Sequence, residues 1–430
     1  MAVTPNTDLT SVLDDLKQTY GKDLEDYRPS FTVLQELLSA NRDGVEMGAK
    51  INLPVALSHQ GGETNDTSGG TATLRNPVSM EIKDASSDQY EITLPVRMPF
   101  GLISKAKQGP KARFADKPKL ILMSGKKGSL RAAELNLLHG QNSLGKVSAV
   151  SAVTGSGPYF IDVTFTAPSW SDGIYGAADN LPFDFYSALT SGTKRNTGDC
   201  NVSAVKGWST DATNPRTVTF TAAAQSDLNT IAANDFVFAA SAYGKQMPGL
   251  MYQLGLGAAV THLGISTNYT MWRPKQITVT GPITMGKLLS GISPAISHGA
   301  EGKMTVLANA RNHADLVKDM VSARRLDASY KSGGKLENGA QSVEYMIGNL
   351  TLEIVLHAFM KDGDVAVIPT DNWYRIGSDP EPTMKLDDLQ LQVMSSNSNT
   401  FEFRFWCAQT LMPNLMATSV LFSGITPNAS

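Results

Sequence analysis

The most regular alternation of apolar and polar positions in this chain occurs twice, in near copies. Val147-Ser148-Ala149-Val150 is followed by Val163-Thr164-Phe165-Thr166, and Val202-Ser203-Ala204-Val205 by Val218-Thr219-Phe220-Thr221. In each copy the second run begins 16 positions after the first (163 − 147 and 218 − 202). β-Branched residues at period two, interrupted by Gly155-Ser156-Gly157-Pro158 in one copy and Asp211-Ala212-Thr213-Asn214-Pro215 in the other, predict two antiparallel hairpins. Equal spacing predicts equivalent core positions: Val147, Val150, Val163 and Phe165 in the first hairpin, Val202, Val205, Val218 and Phe220 in the second. Helical and mixed patterns flank this β-rich module on both sides, so it reads as an insertion into a host fold.

Upstream, residues 1 to 48 read as an arm with two short helices. Leu9, Val12, Leu13, Leu16 and Tyr20 recur at helical spacing, and Val33, Leu34, Leu37 and Leu38 do so after Pro29-Ser30, which suit a helix start. Stripes this short cannot be buried alone, so both must dock on another surface. Lys50 to Leu57 alternates as a strand. Ser58 to Thr73 then loses its apolar pattern, with Ser58, Gly61, Gly62, Ser68, Gly69 and Gly70 in a polar stretch, before alternation returns at Val78 to Ile82 and Tyr90 to Val96. A polar tip between strands is either a surface loop or an arm that orders on a neighbour.

Next comes a basic segment. Lys105, Lys107, Lys111, Arg113, Lys117, Lys119, Lys126, Lys127 and Arg131 face a single acid, Asp116, a formal +8. Pro110, Pro118, Gly125 and Gly128 argue against one unbroken helix here, whereas Ala132 to His139 continues as a helix that Gly140 ends. After Glu134 no glutamate occurs until Glu301, a span holding both hairpins, an apparent linker from Ser169 to Gly198 and a strand at Phe236 to Phe238. Farther on, helices are predicted at Met285 to Ser297 and Ala310 to Arg325. Strands are predicted at Met304 to Leu307, Ser342 to Ile347, Leu350 to Leu356, Val365 to Ile368, Gln390 to Met394, Thr400 to Trp406 and Ser419 to Ile425.

Composition narrows the function classes. A chain of 430 residues ordinarily makes two or three domains. Charged residues are only 18% of it and the net charge is −3, thin cover for a monomer's surface and suited to contact with other subunits. Met1-Ala2-Val3-Thr4-Pro5 has neither the basic region nor the apolar core of a signal peptide, and no apolar run is long enough to span a bilayer, so a cytosolic origin is expected. Cys200 and Cys407 form no ligand pattern and are expected as free buried thiols. The six histidines show no i, i+4 metal-binding pair, and phosphate-loop, dinucleotide and nucleophile-elbow motifs are missing from the sequence. No catalytic residue, metal or cofactor is therefore predicted.

Taken in order, these parts resemble the major capsid protein of tailed bacteriophages, the Hong Kong 97-type fold. The resemblance rests on Ala133-Glu134-Leu135-Asn136-Leu137-Leu138-His139-Gly140, on the hairpins that return at Asn234-Asp235-Phe236-Val237-Phe238 and Gly249-Leu250, and on Asp364-Val365-Ala366-Val367-Ile368-Pro369 before the strand at Phe401 to Trp406. It implies an α+β chain divided into an N-terminal arm (1–48), an extended loop (49–76) and a peripheral domain with a spine segment (77–140). A β-rich insertion (141–248), an axial domain (249–385) and closing strands (386–430) follow. It further implies pentamers and hexamers forming an icosahedral shell around double-stranded DNA, assembly in the host cytoplasm, location in the virion, and portal, scaffolding and decoration proteins as further partners, with no membrane. In that setting Ser58 to Thr73 becomes an extended loop that clasps a neighbour. The basic segment either faces packaged DNA without reading its sequence or pairs with the arm, whose nine acids and four bases give a formal −5. Ser58 to Arg75 contains no lysine, so the lysine–asparagine crosslink of some relatives is not expected. A first strand near Lys50 leaves no room for a long cleaved scaffolding segment.

Two other readings stay open on the residues. An encapsulin-type nanocompartment shares the fold but encloses protein, and the length and duplicated insertion argue against it. A polysaccharide-active enzyme with a β-module needs convergent acids, which the glutamate-free middle supplies poorly.

Overall fold

The computed structural model describes residues 32–38, 40, 46–47, 50–65, 73–100, 116–325, 342–347, 350–386, 389–390, 392–394 and 400–428. The predicted helix around Leu9 to Tyr20 lies outside them. The second arm helix is present as a short α1, Val33–Leu37, with Leu34 and Leu38 buried. After it, β1 (Ile51–Ala56) and β2 (Ile82–Ser87) form an antiparallel hairpin that starts at the Ala56/Ile82 pair and carries the long loop at its tip. The alternation at Val78 to Ile82 thus predicts a strand four residues too early. Strand β3 (Tyr90–Pro99) follows and leads into helix α2, Asp116–His139.

Helix α2 is one continuous helix of 24 residues, which corrects the expectation that Pro118, Gly125 and Gly128 would break it. Pro118 is the third helical residue, in the first turn, where a missing N–H leaves no intrahelical bond unmade. The two glycines lie where the helix crosses a sheet. A Cβ at Gly125 would stand 2.6 Å from Val96 Cγ2 and 2.8 Å from Phe405 Cε2, and one at Gly128 would stand 3.4 Å from Leu94 Cδ2. Close approach, at about 1 kcal/mol of helix propensity per glycine, is what these residues provide. Gly140 ends the helix, its N–H bonding to Asn136 O at 2.9 Å, and its own carbonyl accepts from Gly249 N at 2.9 Å. The chain therefore leaves the host fold at Gly140 and returns beside it at Gly249.

Between these points β4 (Gly145–Val150), β5 (Tyr159–Phe165), β6 (Pro182–Tyr186), β7 (Cys200–Gly207), β8 (Thr217–Ala222) and β9 (Phe236–Ala239) close into a six-stranded antiparallel barrel, in the order β9-β4-β5-β8-β7-β6. The hairpins are copies in register as well as in sequence. Val147 pairs with Phe165, Ala149 with Thr164 and Val150 with Val163; Val202 pairs with Phe220, Ala204 with Thr219 and Val205 with Val218. Adding 55 (202 − 147) to the first set gives the second, bulge included. Val163 and Val218, equivalent residues, sit opposite each other where β5 meets β8, so a local twofold relates the halves. The supposed linker from Ser169 to Gly198 contains β6, which matches β9 at the same offset (Phe183 and Phe238). Its short polar-flanked run, PFDFY, gave too little alternation to be read as a strand.

Val147, Val163, Phe165, Val202, Val218 and Phe220 are fully buried, whereas Val150 and Val205 are half-buried. Both of the latter lie past the bulge, where the extra residue shifts the phase of the alternation.

The rest of the chain runs through β10 (Lys275–Thr278), α3 (Met285–Ser297), β11 (Gly302–Ala308), α4 (Ala310–Arg325), β12 (Ser342–Ile347), β13 (Leu350–Leu356), β14 (Val365–Pro369), β15 (Trp373–Thr383), β16 (Thr400–Pro413) and β17 (Val420–Ser423). One six-stranded mixed sheet, β10-β17-β14-β11-β13-β12, packs against α3 and α4 over Leu288, Ile292, Val306, Leu316, Ile354 and Phe422. Its β11 and β13 are parallel, joined through α4 as a parallel pair requires. In the second sheet β16 lies between β15 and β3, pairing with β3 over ten residues from Thr400/Pro99 to Gln409/Tyr90, and α2 lies across it.

Candidate assembly surfaces and the buried junction

The loop at the tip of β1 and β2 is partly ordered by the chain itself. Gly61 and Val78 exchange backbone hydrogen bonds of 3.0 and 2.9 Å, Ser58 Oγ accepts from Glu81 N at 2.9 Å, and Thr64 Oγ1 accepts from Arg75 N at 3.0 Å. Gly62 takes φ +114, and a Cβ there would stand 2.9 Å from Pro77 Cα, so glycine lets the outgoing and returning segments meet. Ser68, Gly69 and Gly70 lie outside the described residues. At the base, Tyr269 donates to Glu81 and accepts from Lys83 Nζ at 2.8 Å, which holds the Glu81 carboxyl below its usual range and raises Lys83.

The returning segment carries apolar side chains that stand exposed among the described residues. Leu74, Val78, Met80 and Ile82 are 81%, 60%, 47% and 54% exposed, the last three at alternate positions. Sequence reading took Val78 to Ile82 for an alternating strand. The alternation is real but it faces outward.

Of the basic segment, Lys105, Lys107, Lys111 and Arg113 lie outside the described residues, and Lys117 and Lys119 fall on α2 with side chains outside them. Lys126 is exposed and Lys127 half-buried. Arg131 turns inward: Nη2 donates to Ile174 O at 2.5 Å, the guanidinium lies 5.8 Å over the Phe359 ring, and burial lowers its pKa to about 10.

Sequence reasoning missed a buried polar junction where the arm, α2 and the 357–364 turn meet. Glu134 is fully buried. Its Oε1 accepts from Leu34 N at 2.6 Å and His357 Nε2 at 3.0 Å, and its Oε2 from Gln35 N at 3.2 Å. Phe359 N donates to His357 Nδ1 at 3.2 Å, so His357 is the neutral Nε2–H tautomer. His139 bonds Phe359 O at 2.8 Å, and burial next to Lys361 keeps it neutral, its pKa well below the usual histidine value. Lys361 Nζ donates to Ser143 O at 2.7 Å and is brought down to about 8 by burial. Arg375, almost fully buried on β15, has no hydrogen-bond partner for Nε and Nη1 among the described residues and pairs in backbone with Ala40 of the arm. Arm and spine do meet, then, but the described contact is a spine carboxylate receiving arm N–H groups; the acids Asp8, Asp14, Asp15, Asp23, Glu25, Asp26 and Asp43 lie outside the described residues.

Among the described residues no group of three or more His, Cys, Asp or Glu is placed to hold a metal, and no helix is long and apolar enough to cross a membrane. Cys200 and Cys407 are buried free thiols, pushed up to about 12 and about 11 by burial.

No family model and no curated protein matches the sequence. Solved structures do. A chain of the cyanophage A-1(L) capsid asymmetric unit is similar over 97% of this chain and 100% of its own, with TM-score 0.55 and 13% identity. The chain has the Hong Kong 97-type fold of phage capsids. Chains of the native GTA particle capsid (TM-score 0.48, 9% identity, 95% of each chain) and of the cyanophage P-SCSP1u capsid (TM-score 0.45, 8% identity, 97% of this chain and 95% of that one) are also similar.

Proposed function

We propose that this protein is the major capsid protein of a tailed bacteriophage, assembling as pentamers and hexamers into an icosahedral shell around double-stranded DNA. The observation that carries the reading is the uncovered row Leu74, Val78, Met80 and Ile82, borne on a projecting hairpin of a chain with a capsid fold. Four exposed apolar side chains on one short segment raise the free energy of an isolated subunit and lower it once a neighbour covers them. On this reading Ser58 to Thr73 acts as a non-covalent clasp between subunits, many weak contacts adding through avidity. The barrel faces outward. Whatever part of the basic segment is unpaired neutralises phosphate without reading sequence. Residues with catalytic geometry have no place in this account.

The row gives the test. Val78→Ser with Met80→Ser is expected to leave a folded, soluble subunit that no longer assembles, measured by sedimentation velocity. Assembly at the wild-type level would remove the loop from the account.

A further inference from the structure

The β1–β2 hairpin rests on the 256–272 segment and on β16. Val55, Leu57 and Ala85 share a buried cluster with Leu256, Ile265 and Trp272, Ser86 N donates to Leu263 O at 2.8 Å, and the hydroxyls of Ser87 and Thr410 are 2.9 Å apart. These contacts hold the body of the hairpin. Where the returning chain enters β2, the contact changes character. Tyr269 donates to Glu81 Oε1 at 2.5 Å and accepts from Lys83 Nζ at 2.8 Å, Lys83 and Glu81 are 3.3 Å apart, and the ammonium stands 4.7 Å over the same ring. The tyrosine has a firm seat: Trp272 N donates to its carbonyl at 3.0 Å, and Trp272 is itself fully buried with Nε1 on His262 O.

Glu81 is held through backbone and side chain together. Its N–H donates to Ser58 Oγ at 2.9 Å, its carbonyl accepts from Leu57 N at 2.8 Å, and its carboxylate is bound by Tyr269. Lys83 shares its face of β2 with the buried Ala85, so Ile82 lies on the opposite face, 54% exposed. The hydroxyl therefore holds the residue that stands between Met80 and Ile82 in the chain. We propose that Tyr269 is a positioning residue for assembly: its hydroxyl fixes residues 80–83 in the free subunit, so that Met80 and Ile82 are presented to a second copy of this chain before contact is made. The proposal rests on the reading that a second copy covers this segment. A segment ordered in advance has less conformational entropy to lose on contact, so the pin favours association.

The test compares wild type with Tyr269→Phe, which removes the hydroxyl and keeps the ring, with Glu81→Ala, and with the double variant, all in the full-length chain. In isolated subunits, amide exchange at Val78 and Glu81, whose N–H groups bond Gly61 O and Ser58 Oγ, is expected to quicken about three- to tenfold in each single variant. The double variant should show no more than a single one, because both delete the same contact. The urea midpoint is expected to stay at the wild-type value, since the buried cluster is untouched, while assembly followed by light scattering slows by a similar factor. Unchanged exchange in Tyr269→Phe, additive effects in the double variant, or assembly at the wild-type rate despite faster exchange would each overturn the proposal. So would faster exchange matched by a fall in the urea midpoint, which would make the role one of fold stability. Wild-type subunits that never assemble would instead overturn the capsid reading, and the exchange comparison would still decide whether the hydroxyl pins the segment.

Discussion

Gly125 and Gly128 lie three residues apart on one face of helix α2, yet alanine at the two positions is expected to act in opposite directions. Each substitution gains about 0.8–1 kcal/mol of helix propensity. At Gly128 the new methyl meets Leu94 Cδ2 at 3.4 Å, an ordinary contact, so the gain is kept and Gly128→Ala stabilises by about 1 kcal/mol. At Gly125 the methyl would lie 2.6 Å from Val96 Cγ2 and 2.8 Å from the buried Phe405 ring, and overpacking of this kind costs about 1–3 kcal/mol. The net for Gly125→Ala is a loss of up to about 2 kcal/mol, with the helix pushed off the β3–β16 sheet. Urea unfolding of the soluble subunit reads both, and the two midpoints should move apart. Stabilisation by both alanines would refute the reasoning, because it would mean the helix tolerates a side chain where the sheet comes closest.

The barrel's local twofold predicts that Phe165→Ala and Phe220→Ala each cost about 3–5 kcal/mol and do so to a similar degree, seen as local loss of exchange protection; a fully protected barrel in either variant would show that the rings do not hold the core. Replacing residues 61–70 with a short turn should leave a soluble, folded subunit that forms fragile shells or none, and normal pressure-resistant particles would make the loop mere decoration. Burial lowers His262 to about 4, so its neutral ring contributes fully above about pH 6.5 and the contribution is lost toward pH 4, at about 1.4 kcal/mol per pH unit. Asp362 and Asp364, pushed up to about 6 by burial, act in the opposite sense, so the readout is the difference between His262→Gln and wild type: an acid slope that the variant does not flatten contradicts the assignment.

Elements with a clean period were legible in the sequence. Met285–Ser297 and Ala310–Arg325 are helices at the predicted bounds, and Ser342–Ile347 and Leu350–Leu356 are strands at theirs; in Leu350–Leu356 the alternate residues Leu350, Leu352 and Ile354 form the one buried face that writes its spacing into the chain. Propensity misled at α2, where Gly125 and Gly128 record contact with Val96 and Leu94 of the preceding strand β3, and Gly125 also with Phe405 far downstream, and not a break. Strand β6 was invisible because a barrel closed by two five- and four-residue strands needs little periodicity in either. The alternation at Val78 to Ile82 was read but its exposure was not, since alternation reports that one face differs from the other and not which partner covers it. Glu134 left no local signal at all: its donors are 99 and 100 residues upstream and 223 downstream.

The claim that this chain builds a shell is tested most directly by cryo-electron microscopy of the purified, full-length protein expressed alone. The account predicts closed icosahedral particles or capsomer rings of five and six subunits, with the 74–82 segment covered by an adjacent subunit. Isolated monomers at high concentration, with that segment bare, would contradict it.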